Sequence, residues 1–103
     1  MRIMVGMEAM LRRSTRAVHR DLADGGGGVI LNLDSGAYYA LNPVGLLIWT
    51  LLEDDMTFGA LLGRVRQELS EAPPGQELEQ DLRAFLQQLQ ERDLVVIADE
   101  PGS

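Results

Sequence analysis

Residues 29–52 read VILNLDSGAYYALNPVGLLIWTLL, and this segment carries the strongest structural signals of the chain. Its first part holds two short apolar runs separated by Asp34-Ser35-Gly36. Asp and Ser can hydrogen-bond to nearby backbone, and Gly adopts positive φ without steric cost, so this tripeptide predicts a turn. Runs rich in Val, Ile, Leu and Tyr on both sides of a turn predict an antiparallel hairpin.

Successive side chains of a strand point to opposite faces, so alternation assigns the residues of the hairpin to two sets. In the first strand, one face holds Val29, Leu31 and Leu33, and the other holds Ile30 and Asn32. In the return strand, one face holds Ala37, Tyr39 and Leu41, and the other holds Tyr38 and Ala40. We expect Tyr39 to face the helices and Tyr38 to face solvent, although periodicity alone also allows the reverse.

The second part of the stretch predicts a helix that begins at Asn42-Pro43. Asn is a favourable N-cap, and Pro at the first helical position lacks an N–H that would have no intrahelical partner. The residues that follow, up to Leu52, are apolar almost all round, which is typical of a buried helix. We expect this helix to form the centre of the core.

The flanking sequence adds one strand before this stretch and two helices after it. Residues 14–22 alternate modestly and predict a first strand, and the four glycines of residues 25–28 predict a loop. Thr57 is placed to cap a helix with apolar residues at helical spacing up to Leu69. A third helix is predicted over residues 76–92, with an apolar stripe that begins with Leu78 and Leu82, and a short extended segment follows at 94–97. The predicted fold is therefore α+β, with a three-stranded antiparallel sheet followed by three helices, similar in architecture to a winged helix-turn-helix.

Composition excludes several classes of function. The 103 residues include no cysteine and one histidine, His19, so a disulfide, a thiolate metal site or a multi-histidine site cannot form. The net charge is −7, with nine arginines and no lysine, which argues against a surface that neutralises nucleic-acid phosphates. The glycine run lacks the residues of a phosphate-binding loop. We expect a non-catalytic protein of the cytoplasm, with no cofactor, no metal and no membrane segment.

Several stretches resemble the family of the pyrroloquinoline quinone biosynthesis protein D. The likeness rests on Val29–Gly45, on Ile48-Trp49 with the pair Leu51-Leu52, and on Asp81–Leu86 together with Arg92–Val95. These segments follow the order of that family, which is strand, acidic-Gly turn, aromatic strand ending in Leu-Asn, and helix with Ile-Trp. The glycine that often follows the arginine of its last helix is Asp93 here. The likeness covers roughly residues 15–97.

The resemblance implies that residues 14–97 form a recognition domain for ribosomally made, post-translationally modified peptides, with residues 1–13 flexible and 98–103 a tail. Members of the family bind the leader segment of a precursor as an extra antiparallel strand on the third strand of the sheet, against the third helix. Stand-alone members of this kind are typical of lasso-peptide clusters, which implies a leader peptidase and a cyclase as partners. Quinone-cofactor synthesis and other modified peptides remain alternatives.

The predicted peptide-binding residues lie on the return strand and on the third helix: Ala37, Tyr38, Tyr39, Ala40, Asp81, Phe85, Gln88 and Leu89. An exposed edge strand offers unpaired N–H and C=O groups to an extended peptide, while neighbouring side chains supply hydrophobic anchors. Phe85 and Leu89 can equally be plain core residues. Two other classes of function remain open, a winged-helix transcriptional regulator and a structural bridging domain.

Overall fold

The structure is a computed structural model, and it describes residues 6–22, 26–69 and 75–98. The elements in chain order are β1 (Met10–Arg13), β2 (Ala17–Asp21), β3 (Gly28–Asn32), β4 (Tyr38–Leu41), α1 (Pro43–Leu51), β5 (Met56–Thr57), α2 (Phe58–Glu68), α3 (Gly75–Glu91) and β6 (Val95–Ala98). The strands form two three-stranded antiparallel sheets, ordered β2-β3-β4 and β5-β1-β6. The α+β class is confirmed, with the predicted sheet and three helices present and a second sheet added. The winged-helix likeness stays a prediction.

The predicted hairpin is formed by β3 and β4, and the turn is organised by Asn32. Its side-chain Oδ1 accepts from the N–H groups of Asp34 and Ser35 at 2.9 and 3.2 Å, and its Nδ2 donates to the carbonyl of Arg92 at 3.2 Å. Asn32 is only 5% exposed. A buried amide must satisfy its hydrogen bonds, and this one does so by joining the turn to the end of α3.

Helix α1 begins as predicted, because the side chain of Asn42 accepts from the N–H of Gly45 at 2.7 Å and Pro43 is the first helical residue. Ile48 and Trp49 are buried on this helix. Trp49 is fully buried in the cluster that α2, α3 and both sheets complete. The prediction that α1 is central to the core is therefore confirmed.

The expectation that residues 1–13 are flexible is wrong for Met10–Arg13, which form the central strand of the second sheet. Leu11 on this strand is fully buried. Its partners are Val95–Ala98 and Met56–Thr57, which lie far away in the sequence. A four-residue strand paired only with distant segments leaves no local pattern, which is why the sequence did not reveal it. Residues 1–5 of the expected flexible segment and 99–103 of the expected tail lie outside the described residues.

Arg13 joins this second sheet to α1. Its Nε donates to the carbonyl of Trp49 at 3.1 Å, and its guanidinium lies 4.7 Å from the centroid of the Trp49 ring. Burial lowers the pKa of Arg13, and the carboxylate of Glu53 partly opposes this shift. The Trp49 carbonyl, in the last turn of α1, also accepts from the N–H of Leu52 at 3.2 Å, so Arg13 is a second donor to it.

Among residues 6–22, 26–69 and 75–98, no helix combines the length and apolar character that crossing a bilayer requires.

Candidate functional site

Strand β4 is an edge of its sheet, and its register shows which backbone groups face outwards. The N–H of Asn32 donates to the carbonyl of Ala37 at 2.9 Å, so these two residues form a hydrogen-bonded pair. Antiparallel pairs alternate between hydrogen-bonded and non-hydrogen-bonded, so the next bonded pair is Ile30 with Tyr39. The N–H and C=O groups of Tyr38 and Ala40 therefore point away from β3, towards the open edge. These four groups can pair with a further strand.

Side chains of β4 face two different environments. Tyr39 faces α3, where its hydroxyl donates to Oε1 of Gln88 at 2.7 Å. Its ring meets Phe85 edge to face with 6.3 Å between centroids, and the guanidinium of Arg92 lies 4.9 Å from its centroid. Tyr38 points to the opposite face of the sheet and is 72% exposed. The expectation that Tyr39 faces the helices is confirmed.

A groove of about 680 Å³ opens beside β4, and we call it the β4–α3 groove. Its lining comes from β4, α1, the end of α2 and α3: Tyr39, Ala40, Leu41, Asn42, Val44, Gly45, Ile48, Glu68, Leu69, Leu78, Asp81, Leu82 and Phe85. Most of these residues are apolar. The groove therefore offers a hydrophobic surface directly beside the unpaired backbone groups of β4.

Gly45 leaves space beside α1 for the side chains of Leu41 and Phe85 at the groove. A Cβ at this position would lie 3.4 Å from Cζ of Phe85 and 3.3 Å from Cδ2 of Leu41. A side chain at position 45 would crowd that of Leu41 and touch the ring of Phe85. The glycine therefore permits the Phe85 ring to lie close to α1 in the groove wall.

The structure brings most of the predicted site residues together. Tyr39, Ala40, Asp81 and Phe85 line the β4–α3 groove, and Gln88 is attached to it through Tyr39. Residues 81, 85 and 88 of a helix share one face, which is why this spacing was informative. That these residues contact a peptide stays a prediction.

Three predicted positions lie elsewhere. Leu89 is fully buried in the core, so a peptide cannot contact it in this structure and its assignment to the site is corrected. At this turn the chain folds back towards β6, and the N–H of Leu94 donates to the Leu89 carbonyl at 2.9 Å. The backbone of Ala37 is engaged within the hairpin, since its N–H donates to Oγ of Ser35 at 3.2 Å and its carbonyl accepts from Asn32. The side chain of Tyr38 lies on the face opposite the groove.

Sequence reasoning missed the groove residues of α1 and α2, as well as Leu78 and Leu82 on α3. Helix α1 contributes Val44 and Ile48, and the C-terminal end of α2 contributes Glu68 and the cap residue Leu69. Only the packing of these helices against β4 places the four residues together. Leu78 and Leu82 were recognised as part of an apolar stripe, but nothing local shows that the stripe borders an opening. No combination of sequence spacings could have found this set.

Only a few of the side chains that line the groove are polar. Its polar side chains are an amide, a phenol and two carboxylates, on Asn42, Tyr39, Glu68 and Asp81. Within the described part of the chain, no group of three or more His, Cys, Asp or Glu residues could hold a metal ion. An edge strand beside an apolar groove suits an extended peptide, which uses both features together.

The chain is similar to a known protein family and to a solved structure. Residues 27–95 match the family model of coenzyme PQQ synthesis protein D (PqqD), which is more than half of the 103-residue chain. The structure is similar to TbiB1 in complex with the TbiA(beta) leader peptide, with a TM-score of 0.69 and 30% sequence identity. This similarity covers 82% of the present chain and 93% of the TbiB1 chain. No match is found among curated proteins.

Proposed function

Because the chain belongs to the PqqD family, we propose that it binds the leader segment of a ribosomally made precursor peptide by adding it as an antiparallel strand to β4. The observation that carries this proposal is the outward direction of the Tyr38 and Ala40 backbone groups beside the β4–α3 groove. The leader would extend the sheet on one side and place alternate side chains against α3. The similar protein TbiB1 has been solved with a leader peptide, which supports the same class of ligand.

The strength of such a complex can be estimated from its parts. Four backbone hydrogen bonds at roughly 0.5–1.5 kcal/mol each contribute at most about 6 kcal/mol. A sub-micromolar complex needs more than about 8 kcal/mol, before the cost of ordering a flexible peptide. Burying one large apolar side chain contributes roughly 1.5–3 kcal/mol. Two or more apolar leader residues must therefore enter the groove, and its apolar lining is suited to them.

The protein's own role is recognition and presentation, without catalysis. A bound leader would hold the attached core peptide close to a leader peptidase and then a cyclase, as expected for lasso-peptide maturation. The groove offers a peptide-binding surface and leaves the chemistry to those partners. Their identity as a peptidase and a cyclase is part of the proposal.

The alternative of a winged-helix regulator is disfavoured by charge. Helices α2 and α3 together carry three arginines and five acidic residues, and the whole chain carries a net charge of −7. Proteins that bind DNA derive much of their affinity from cations on phosphates. A structural bridging domain would differ in another way, since it would show no affinity for an isolated peptide.

The test is a fluorescence-anisotropy titration with a labelled synthetic leader encoded by the short precursor gene next to the protein's own gene. A scrambled leader of identical composition and a labelled DNA duplex serve as controls. Saturable binding of the leader in the nanomolar to low-micromolar range, absent for both controls, would support the proposal. Equal affinity for leader and scramble would contradict it, and preference for the duplex would favour the regulator.

A further inference from the structure

The β4–α3 groove is electrostatically polarised along its length. Both charged residues in its lining are acids, Glu68 at the end of α2 and Asp81 on the first half of α3. Both are exposed, so their carboxylates stay solvated and available to a ligand. The remaining lining is neutral and mostly apolar. A bound peptide therefore meets concentrated negative charge at this end.

A positive charge lies just beyond the lining of the groove, next to its residue Tyr39. Arg92 follows the last residue of α3, and its guanidinium lies 4.9 Å from the centroid of the Tyr39 ring. Tyr39 in turn hydrogen-bonds to Gln88 at 2.7 Å. These contacts hold the cation next to the start of β4. Arg92 is also exposed to solvent.

The two ends can be related to the direction of β4. Its early residue Tyr39 contacts Gln88 and Arg92, from the C-terminal part of α3. After β4 the chain reaches Gly45, which packs near Phe85 and shares the groove with Leu78 and Asp81. Thus β4 and α3 run in opposite directions. A strand antiparallel to β4 would begin near Glu68 and Asp81 and end near Arg92.

We infer that the β4–α3 groove selects and orients its peptide by charge: a basic residue near the N-terminal end of the bound segment meets Glu68 and Asp81, and an acidic residue towards its C-terminal end meets Arg92. This inference rests on the proposed function and specifies the class of leader that the site accepts. The apolar residues between the two charged ends supply most of the affinity, while the charges decide the order in which the segment is bound.

Helix and strand dimensions set the expected spacing of the two charges. Asp81 and Arg92 are separated by roughly 16 Å if the rise of about 1.5 Å per residue is applied to the whole interval. A strand covers that distance in about five residues. Side chains on the same face of a strand are an even number of residues apart, so the basic and the acidic residue should be separated by about four or six positions.

The expected size of the effect follows from exposure. Exposed ion pairs change an equilibrium constant by about 1.5- to fivefold each, because water and salt screen them. Charge complementarity also discriminates against wrong partners, since juxtaposing like charges is unfavourable. Neutralising one acid should therefore weaken binding modestly. Reversing its charge should change which peptides are bound.

The experiment is selection from a displayed library of random 12-residue peptides on the full chain and on its variants Asp81→Arg and Arg92→Glu. Exposed residues outside the groove provide charge-matched controls, Asp55→Arg and Arg12→Glu. Peptides retained by the wild type should be enriched in Arg and Lys towards their N-terminal end and in Asp and Glu about four or six positions later. Asp81→Arg should abolish or reverse the first enrichment and Arg92→Glu the second. Both controls should select as the wild type does.

A retained peptide is then synthesised, labelled and titrated against Glu68→Gln and Asp81→Asn. Each variant should bind about 1.5- to fivefold more weakly at low salt, and the difference should disappear at high salt. Peptides that bind the wild type, lose affinity when Ala40→Pro blocks the edge of β4, and show no charge preference would overturn the inference. That result would leave the proposed function intact. The opposite charge order would overturn the proposed orientation, and a library with no specific binder would contradict the proposed function itself.

Discussion

The hydroxyl of Tyr39 donates a hydrogen bond of 2.7 Å to Oε1 of Gln88, and this contact ties the edge strand β4 to α3. It lies at the surface, at the end of the groove marked by Arg92. The two residues are 49 positions apart in the sequence, so the contact forms only when the strand packs against the helix. It acts together with the edge-to-face contact between Tyr39 and Phe85 and with the guanidinium of Arg92 over the Tyr39 ring.

A double-mutant cycle of Tyr39→Phe and Gln88→Ala should give a coupling free energy of about 0.5–1 kcal/mol by urea unfolding. The hydrogen bond is exposed, and water competes with it, so the net contribution of a typical pair is small. Because Tyr39→Phe keeps the ring beside Phe85, it should leave leader affinity nearly unchanged. A coupling energy of zero would show that this contact does not hold β4 to α3.

Ala40→Pro should weaken leader binding at least tenfold while the domain remains folded. The N–H of Ala40 points towards the open edge, so its removal leaves the β3–β4 ladder intact but removes one donor and places a ring at the proposed pairing edge. The matched control is Asp21→Pro. It also removes an N–H that points outwards from an edge strand, but this strand is β2, at the opposite edge of the same sheet. Circular dichroism checks folding, and anisotropy measures affinity. Full binding by folded Ala40→Pro would rule out strand addition at β4.

Phe85→Ala should mainly lower leader affinity, whereas Leu89→Ala should mainly lower the free energy of unfolding. Leu89 is fully buried, so its truncation should lower the free energy of unfolding by about 2–5 kcal/mol. Phe85 is half-buried and lines the groove, so its truncation should cost less stability and weaken leader binding about tenfold or more. Urea titrations and anisotropy give both quantities. Unchanged affinity in a folded Phe85→Ala protein would remove this residue from the site.

Gly27→Ala should lower the free energy of unfolding by about 2 kcal/mol or more, which corresponds to a fall in Tm of roughly 8 °C or more. Gly27 has a φ of 106°, and an added Cβ would collide with the carbonyl oxygen of Leu41. Gly26→Ala is the control, because a Cβ there meets nothing within 4 Å. Thermal melts of the two variants provide the measurement. Equal Tm values would show that the loop adapts to the side chain without strain.

Local patterns predicted the elements that local forces stabilise. The turn at Asp34-Ser35-Gly36, the cap at Asn42 and the apolar stripes of α2 and α3 all follow from hydrogen bonds and spacings within a few residues. The likeness to the PqqD family was also visible in the sequence, because it rests on an ordered run of such elements. These predictions needed no knowledge of how the elements pack.

The faces of the hairpin were not decided locally. Val29, Leu31 and Leu33 form the larger apolar set, yet Leu31 and Leu33 are exposed, whereas Ile30 and Asn32 are buried. Packing against the helices determines which face is inside, and the burial of Asn32 is possible because its amide reaches the end of α3. Hydrophobicity alone would favour the opposite orientation.

Neighbours along the chain account for the hairpin, the three helices, the family likeness and the edge strand that a peptide could join, so all of these could be predicted from local patterns. Long-range packing accounts for the second sheet through Met10–Arg13, the burial of Leu89 and the composition of the β4–α3 groove. These features arise where segments distant in sequence come together, and the free energy of such contacts depends on the packing of several elements at once. The periodicity of one segment shows only which side chains share a face. Packing determines whether that face contacts solvent, the core or a neighbouring element.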